Sequence, residues 1–197
     1  SADTIPGRKF NSNGICIPCS YNDEVNTKIN WMKRVKQLKE IVQWAKLNNH
    51  DGWDCAIGIS GGKDSTFQAI YAKETLGLNC LLVNCAPDGI TDAGRQNLEN
   101  LVCKGFDMVS WRNNPEIMKL LTKRSFYEYG NPVKPSEYPL FAVTYQTALA
   151  YKIPLIIQGE NPGLILGNTT SGKGEDDDAF DIVTGNTLQG GNAADWV

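Results

Sequence analysis

Within six residues, Ser60-Gly61-Gly62-Lys63-Asp64-Ser65 gathers two hydroxyls, a cation, a carboxylate and a pair of glycines. Adjacent glycines give the backbone conformations closed to other residues and let main-chain N–H groups come close to a ligand. A helix opening just behind them adds unpaired amide N–H groups and the positive end of its dipole, so the segment suits an anion. Ser60 and Ser65 bring hydroxyl donors and Lys63 a positive charge, while Asp64, unable to bind phosphate itself, can hold a magnesium ion or cap the helix. That mixture points to metal-bound polyphosphate. The pattern G-x-x-x-x-G-K-[ST] is absent, because Lys63 is followed by Asp64 and Ile57 stands five residues before Gly62. The plain alternative is an ordinary strand-to-helix turn whose serine and aspartate serve only as caps.

The surrounding pattern supplies the elements such a loop needs. Asp54 to Ile59 reads as a buried strand entering the loop, and Ser65 to Leu76 as the helix leaving it, stopped by Gly77. Asn79 to Cys85 is a second apolar run of strand length, ending in Pro87-Asp88-Gly89. Thr91 can cap a helix with Leu98, Leu101 and Val102 on one face and Gly105 as its stop, before a short strand over Phe106 to Trp111. Asn114-Pro115-Glu116 predicts the start of a helix that Gly130 ends; a loop from Asn131 to Glu137 then leads to a helix over Leu140 to Tyr151 and a strand over Ile153 to Ile157.

Strands alternating with helices at this spacing imply an α/β fold with a doubly wound parallel sheet. Ligands in such sheets bind beyond the carboxyl ends of the strands, where the strand order reverses. That rule gathers Ser60 to Ser65, Asn84 to Gly89 and Gly159-Glu160-Asn161 around one crevice.

Ahead of this domain, Ile29 to Leu47 repeats apolar residues Met32, Val35, Leu38, Ile41, Val42 and Ala45 at three- and four-residue steps, the signature of an amphipathic helix with lysines on its wet face. Asn48 to Gly52 breaks the pattern. The chain is therefore expected to divide into an N-terminal segment over residues 1–48, a main domain over 49–162, and a Gly- and Asp-rich stretch over 163–197. The last stretch, with Glu175 to Asp178, reads either as a solvated segment or as a lid over the site with Lys173 reaching inward. It ends without a final core element, so a longer parent protein is expected.

The 197 residues carry 19 basic and 22 acidic side chains, a net charge of −3. Such a chain has no field to gather nucleic acid or an anionic membrane non-specifically. No apolar run reaches membrane-spanning length and the N-terminus has no basic segment followed by an apolar one, so a cytoplasmic location is expected. Of six cysteines, Cys55, Cys80, Cys85 and Cys103 lie in or beside apolar stretches where buried free thiols are expected. Cys16 and Cys19 stand at C-x-x-C spacing in a segment, Ser1 to Tyr21, rich in Gly, Pro, Asn and Ser. Two thiolates make half a tetrahedral zinc site; the other half lies upstream, or the pair is metal-free, or it is redox-active.

The string SGGKDS resembles the pyrophosphate loop (PP-loop) of the N-type ATP pyrophosphatases, whose Rossmann-like fold is of the adenine nucleotide alpha hydrolase type. Members cut ATP between the α and β phosphates, transfer AMP to a carbonyl-type oxygen and let a nitrogen or sulfur nucleophile displace it. Further segments are similar to the bacterial N-acetyl sugar amidotransferases of lipopolysaccharide O-antigen and pseudaminic or legionaminic acid biosynthesis. They are Pro6-Gly7 with Phe10, Gly14-Ile15-Cys16-Ile17-Pro18-Cys19, Ile29-Asn30-Trp31, Gly94-Arg95-Gln96-Asn97-Leu98-Glu99-Asn100-Leu101, Asn114-Pro115-Glu116, and Ile153 to Pro162. Together they cover most of residues 6–163. Family members usually have another C-x-x-C just before the point where this chain begins, and many have one in the loop that here reads Val133-Lys134-Pro135-Ser136. They also continue past Val197.

This resemblance implies conversion of a sugar acetamido group, often on a nucleotide sugar, into an acetamidino group, with ATP and magnesium. Ammonia would come from a separate glutaminase subunit with a cyclase-like partner. The loop residues Ser60, Gly61, Gly62 and Ser65 would hold the β and γ phosphates, Lys63 would neutralise developing charge, and Asp64 would orient magnesium. Val83, Asn84 and Gly159 match positions that flank the nucleotide, the first two through backbone atoms. Glu160 is expected either to place magnesium or ammonia or to act as a cap or structural ion pair. Arg95 and Asn97 either face the sugar or lie on a helix surface, and Asn161 is grouped with them. His50, the single histidine, sits in a polar turn and reads as a surface residue. Two rival readings are a tRNA thiolation enzyme of the same superfamily, which would need a basic surface and a reactive cysteine near the crevice, and a non-catalytic nucleotide-binding scaffold.

Overall fold

The computed structural model describes residues 10–50, 52–87 and 89–159. Val35–Gly159 forms one compact unit, and residues 10–34 belong to another.

In the N-terminal unit, Phe10 and Cys16 form an antiparallel bridge across a turn that Asn11 organises. The Asn11 Oδ1 accepts the N–H groups of Asn13 and Ile15, at 2.9 and 3.0 Å. Helix α1 (Ile17–Thr27) follows directly, so Cys19 and Tyr21, in the segment rich in Gly, Pro, Asn and Ser, are helical. Pro18 falls in the first turn, where its missing N–H has no helical acceptor to lose. Near the other end Asn26 Nδ2 and Thr27 Oγ1 donate back to the carbonyls four residues earlier, at 2.9 and 2.6 Å.

Helix α2 (Trp31–Leu47) starts where the side chain of Asn30 accepts the Lys33 N–H at 3.0 Å. Its Leu38, Val42 and Ala45 pack in the main core. The compact unit begins within α2, at Val35.

The main unit runs β1 (Cys55–Gly58), α3 (Lys63–Ile70), β2 (Cys80–Ala86), α4 (Asp92–Cys103), β3 (Asp107–Arg112), α5 (Pro115–Tyr129), α6 (Lys134–Ala150) and β4 (Leu155–Ile157). Helix α3 widens into one π turn over Tyr71–Thr75 before Gly77 ends it. The four strands are all parallel, in the order β3-β2-β1-β4. This is the doubly wound sheet that alternating strands and helices predicted.

Each face of the sheet is covered, as a parallel sheet requires. Alternate residues of a strand point to opposite faces. Cys55, Ile57, Cys80 and Leu82 meet α2 through Val42 and Ala45, α3 through Ala69 and Ala72, and α4 through Leu101. Ala56, Leu81 and Val83 instead meet Val143 and Ala148 of α6. Gly58 lies beneath α6, where an added Cβ would stand 3.3 Å from the Thr144 Oγ1.

The caps behave as their residue types predict. Thr91 Oγ1 accepts the Gly94 N–H at 3.1 Å, Asn114 Oδ1 accepts those of Glu116 and Ile117, and Gly130 closes α5 in a left-handed conformation. The exception is α6, which begins at Lys134, inside the stretch expected to be a loop up to Glu137. Asn131 Oδ1 accepts the N–H groups of Val133 and Lys134, at 2.9 and 3.3 Å. Pro135 then sits in the first turn, where proline is tolerated, and the helix continues through Pro139.

Candidate active site

Register sets the site. Gly58 pairs with Val83 and Ile57 with Ile157, so the carboxyl ends of β1 and β4 finish side by side while β2 runs on to Ala86. β1 leads to α3 and β2 on one side, and β4 returns on its other side, which makes the gap between β1 and β4 the point where the strand order reverses. The segment Ser60-Gly61-Gly62 leaves β1 there. Gly159, two residues beyond β4, lies against α3: a Cβ on it would come within 3.0 Å of the Gln68 carboxamide.

The loop has little room to vary. Gly61 has φ +81°, and an added Cβ would stand 2.8 Å from the Gly94 carbonyl oxygen of α4. Two asparagines hold its carbonyls. Asn84 Nδ2 donates to the Ile59 oxygen at 2.8 Å, and Asn97 Nδ2 donates to the Gly61 oxygen at 2.8 Å. Asn84 is 1 % exposed, and its Oδ1 accepts from Ser110 Oγ of β3 at 3.0 Å, so the carboxamide is bonded at both ends.

The donors of the loop are held loosely by comparison. The Ser60 N–H reaches Ser65 Oγ at 3.3 Å, the Gly62 N–H reaches Ser60 Oγ at 3.3 Å, and the two hydroxyls stand 3.3 Å apart. Gly62 is the N-cap of α3 and provides no side-chain cap, so the first-turn amides of that helix keep their donor capacity. Asp64 does not cap the helix. Its Oδ1 instead accepts from Lys63 Nζ at 2.7 Å in an exposed pair, with side chains 75 % and 88 % accessible. An exposed ion pair is worth at most about 1 kcal/mol, so both groups are free to take up a ligand.

These residues fit a triphosphate and its magnesium ion. One turn carries amides and two hydroxyls within 3.3 Å of one another, and the accessible ammonium of Lys63 and carboxylate of Asp64 stand next in sequence, groups of the kinds that bind phosphate oxygens and magnesium. Of the other positions expected to bind nucleotide, Val83 is buried and its carbonyl accepts the Ile59 N–H at 2.9 Å. Arg95 is exposed on the first turns of α4. Asn97 is engaged with Gly61, a role that spacing on a helix surface did not reveal. Glu160, Asn161 and Lys173 lie outside the described residues.

The four-stranded parallel sheet with helices on its faces has known counterparts. A matching solved structure is the NH3-dependent NAD synthetase of Campylobacter jejuni subsp. jejuni NCTC 11168 in complex with nitrate, at TM-score 0.52 and 20 % identity, covering 73 % of this chain and 62 % of that one. The fold is that of the NAD synthetases. The NMN synthetase of Francisella tularensis aligns at TM-score 0.48 and 21 % identity, over 64 % of this chain and 55 % of its own. The chain thus spans less than two thirds of either synthetase. No family model matches the sequence, and no curated protein is a significant match.

Four of the six cysteines form two separate pairs, while Cys85 is half-buried and Cys103 exposed, neither of them fully buried as their apolar surroundings in sequence suggested. Cys16 is buried and Cys19 exposed, and neither is in a disulfide. A hydrogen bond with Cys16, reinforced by that residue's charge, holds the Cys19 thiol above its ordinary pKa. Among the described residues no group of three or more His, Cys, Asp or Glu side chains is placed to hold a metal, so these residues do not assemble a zinc site around Cys16 and Cys19. Cys55 and Cys80 face each other in register on β1 and β2, with Cys55 Sγ donating to Cys80 Sγ at 3.5 Å and Cys80 Sγ donating to the Leu78 oxygen at 3.3 Å. The bond to Cys80, then burial, pushes the Cys55 thiol well up. His50 is exposed. No helix among the described residues is long and apolar enough to cross a membrane.

Proposed function

We propose that the chain is the synthetase part of an ATP-dependent amidotransferase that turns an acetamido group of a sugar or nucleotide sugar into an acetamidino group. The observation that carries the ATP-binding step is the Ser60–Ser65 turn at the strand-order reversal, with carbonyls tied back and amides, hydroxyls and Lys63 left to meet an anion. The sugar substrate rests on the ordered set of segments from Pro6 to Pro162. The NAD synthetase that shares the fold is itself NH3-dependent, which agrees with ammonia as the nucleophile.

An amide oxygen leaves poorly at neutral pH and must first become a phosphate ester. It attacks the α phosphorus of ATP, the α–β bridging bond breaks, and pyrophosphate departs. The Ser60 and Gly62 amides, the Ser60 and Ser65 hydroxyls and the first amides of α3 hold the β and γ phosphates, the groups that become pyrophosphate. Lys63 balances the charge that develops there. Asp64 would hold magnesium, which when bound would supply Lewis-acid polarisation of the phosphates. Ammonia then attacks the imidate carbon, AMP leaves, and loss of a proton gives the amidine. Val83, Asn84 and Gly159 border the nucleotide, Glu160 places magnesium or ammonia, and Arg95 and Asn161 meet the sugar. A glutaminase subunit with a cyclase-like partner supplies the ammonia in the cytoplasm.

The test is pyrophosphate release by the full-length protein with ATP, magnesium and ammonium over a panel of nucleotide sugars, with mass spectrometry following exchange of oxygen for NH. Release that depends on an acetamido sugar supports the reading. Sulfur transfer to tRNA, or ATP binding with no release on any sugar, replaces it with one of the two rivals.

A further inference from the structure

We infer that Asn97 and Asn84 are positioning residues that set which way the phosphate-binding amides point. This deepens the proposed function and rests on the reading of Ser60–Ser65 as a triphosphate loop. In a trans peptide the C=O of one residue and the N–H of the next point in opposite directions. Asn84 Nδ2 holds the Ile59 oxygen at 2.8 Å, which turns the Ser60 N–H away from β2 and toward Ser65 Oγ. Asn97 Nδ2 holds the Gly61 oxygen at 2.8 Å, which turns the Gly62 N–H away from α4 and toward Ser60 Oγ. Two alternate peptide planes of one turn are thereby locked with their donors on the side of Ser60 and Ser65.

The lock is needed most at Gly61–Gly62. A Gly-Gly peptide has the lowest barrier to an alternative set of φ and ψ values, because neither residue carries a Cβ to forbid them. Contact with the Gly94 oxygen limits where the Gly61 Cα can lie, but not which way its carbonyl points. Among the described hydrogen bonds, the Asn97 carboxamide is the one that fixes that carbonyl. The two asparagines come from different elements, β2 and α4, and differ in burial. Asn84 is sealed in the sheet, whereas Asn97 is on an exposed stretch of α4 and can be replaced without opening the core.

The experiment compares wild type with Asn97→Leu and Asn97→Asp, neither of which can donate to the Gly61 oxygen. Calorimetry measures affinity for magnesium ATP, for pyrophosphate and for adenosine, and thermal melting checks each variant. A lost hydrogen bond to a charged group weakens binding by about 10- to 100-fold. That loss is expected for ATP and pyrophosphate in both variants, with adenosine affinity within about twofold of wild type, as a loop-orientation role requires. In amide NMR spectra of wild type, the Ser60 and Gly62 signals are expected to shift on adding pyrophosphate, which tests the amides independently of any variant. ATP affinity within twofold of wild type in both variants, equal losses for ATP and adenosine, or pyrophosphate shifts that bypass Ser60 and Gly62 would each overturn the inference. A wild-type protein that binds neither ATP nor pyrophosphate would instead remove the triphosphate reading on which it rests.

Discussion

Gly61 and Gly94 approach so closely that a single methyl carbon on Gly61 would stand 2.8 Å from the Gly94 carbonyl oxygen. The contact joins the turn after β1 to the first turn of α4, two segments that the sequence separates by a strand and a helix. Gly61 also has φ +81°, so any other residue there meets conformational strain and a backbone clash together. Gly130 provides the control. It too is left-handed, at φ +66°, yet nothing lies within 4 Å of its would-be Cβ.

Gly130→Ala should therefore lose only the conformational term, about 1–2 kcal/mol. Gly61→Ala should lose more than that and should also lose ATP binding, since either α4 or the turn must move. Chemical unfolding of both variants, with calorimetry on ATP, checks the ordering. Equal destabilisation with ATP affinity intact would mean that the Gly61–Gly94 contact relaxes freely.

Lys63 and Asp64 face solvent and bond mainly each other, so their removal should leave folding almost untouched. Lys63→Ala is expected to slow pyrophosphate release by about 100- to 1,000-fold, the usual effect of deleting one charge-stabilising group. Asp64→Ala should abolish magnesium-dependent release, with a melting temperature close to that of wild type. Full release by Asp64→Ala would take that carboxylate out of the chemistry.

Cys19 should alkylate at higher pH than an ordinary exposed thiol, because its bond with Cys16 and that residue's charge favour the protonated form. Cys16→Ala removes both influences and should move the pH profile of iodoacetamide labelling at Cys19 downward. Peptide mass spectrometry across a pH series reads the shift. A profile unchanged by Cys16→Ala would break the link between the two thiols.

Cys55 is fully buried and its thiol is pushed up, so it keeps its proton in the folded chain above the pH at which the unfolded chain releases it. The stabilisation this gives is fully present below the ordinary thiol value near 9 and is lost as pH rises beyond it. Native protein at pH 8 should leave Cys55 and Cys80 unlabelled, and Cys55→Ala should flatten the fall in stability above pH 9. Denaturant titrations at pH 7.5 and 9.5 test the sign.

What the sequence disclosed followed local rules. The strands were visible as apolar runs, and Thr91, Asn114 and Gly130 each marked a helix end by residue type alone. One stretch was misread: Asn131 to Glu137 was expected to be a loop, whereas Asn131 starts α6 so that Pro135 falls in a turn that tolerates it. Helix α1 carries Pro18, Ser20, Asn22 and Asn26, poor helix formers that hid it.

The candidate site divides in the same way. The groups proposed to face the ligand were legible because six consecutive residues hold them. The bonds that shape the turn were not, since Asn84 and Ile59 are 25 residues apart and Asn97 and Gly61 are 36 apart. Only the register of β1 on β2 and the seating of α4 bring them together.

Gly58 has a consequence of a different kind. It makes no turn, but an added first carbon there would stand only 3.3 Å from the Thr144 hydroxyl oxygen, so the two could coexist only if one of them gave way. The thickness of the layer between sheet and helix is therefore fixed at one spot by a missing methyl group. A bulkier residue at 58 would act as a wedge under α6, and the damage would travel along that helix rather than stay beside the turn.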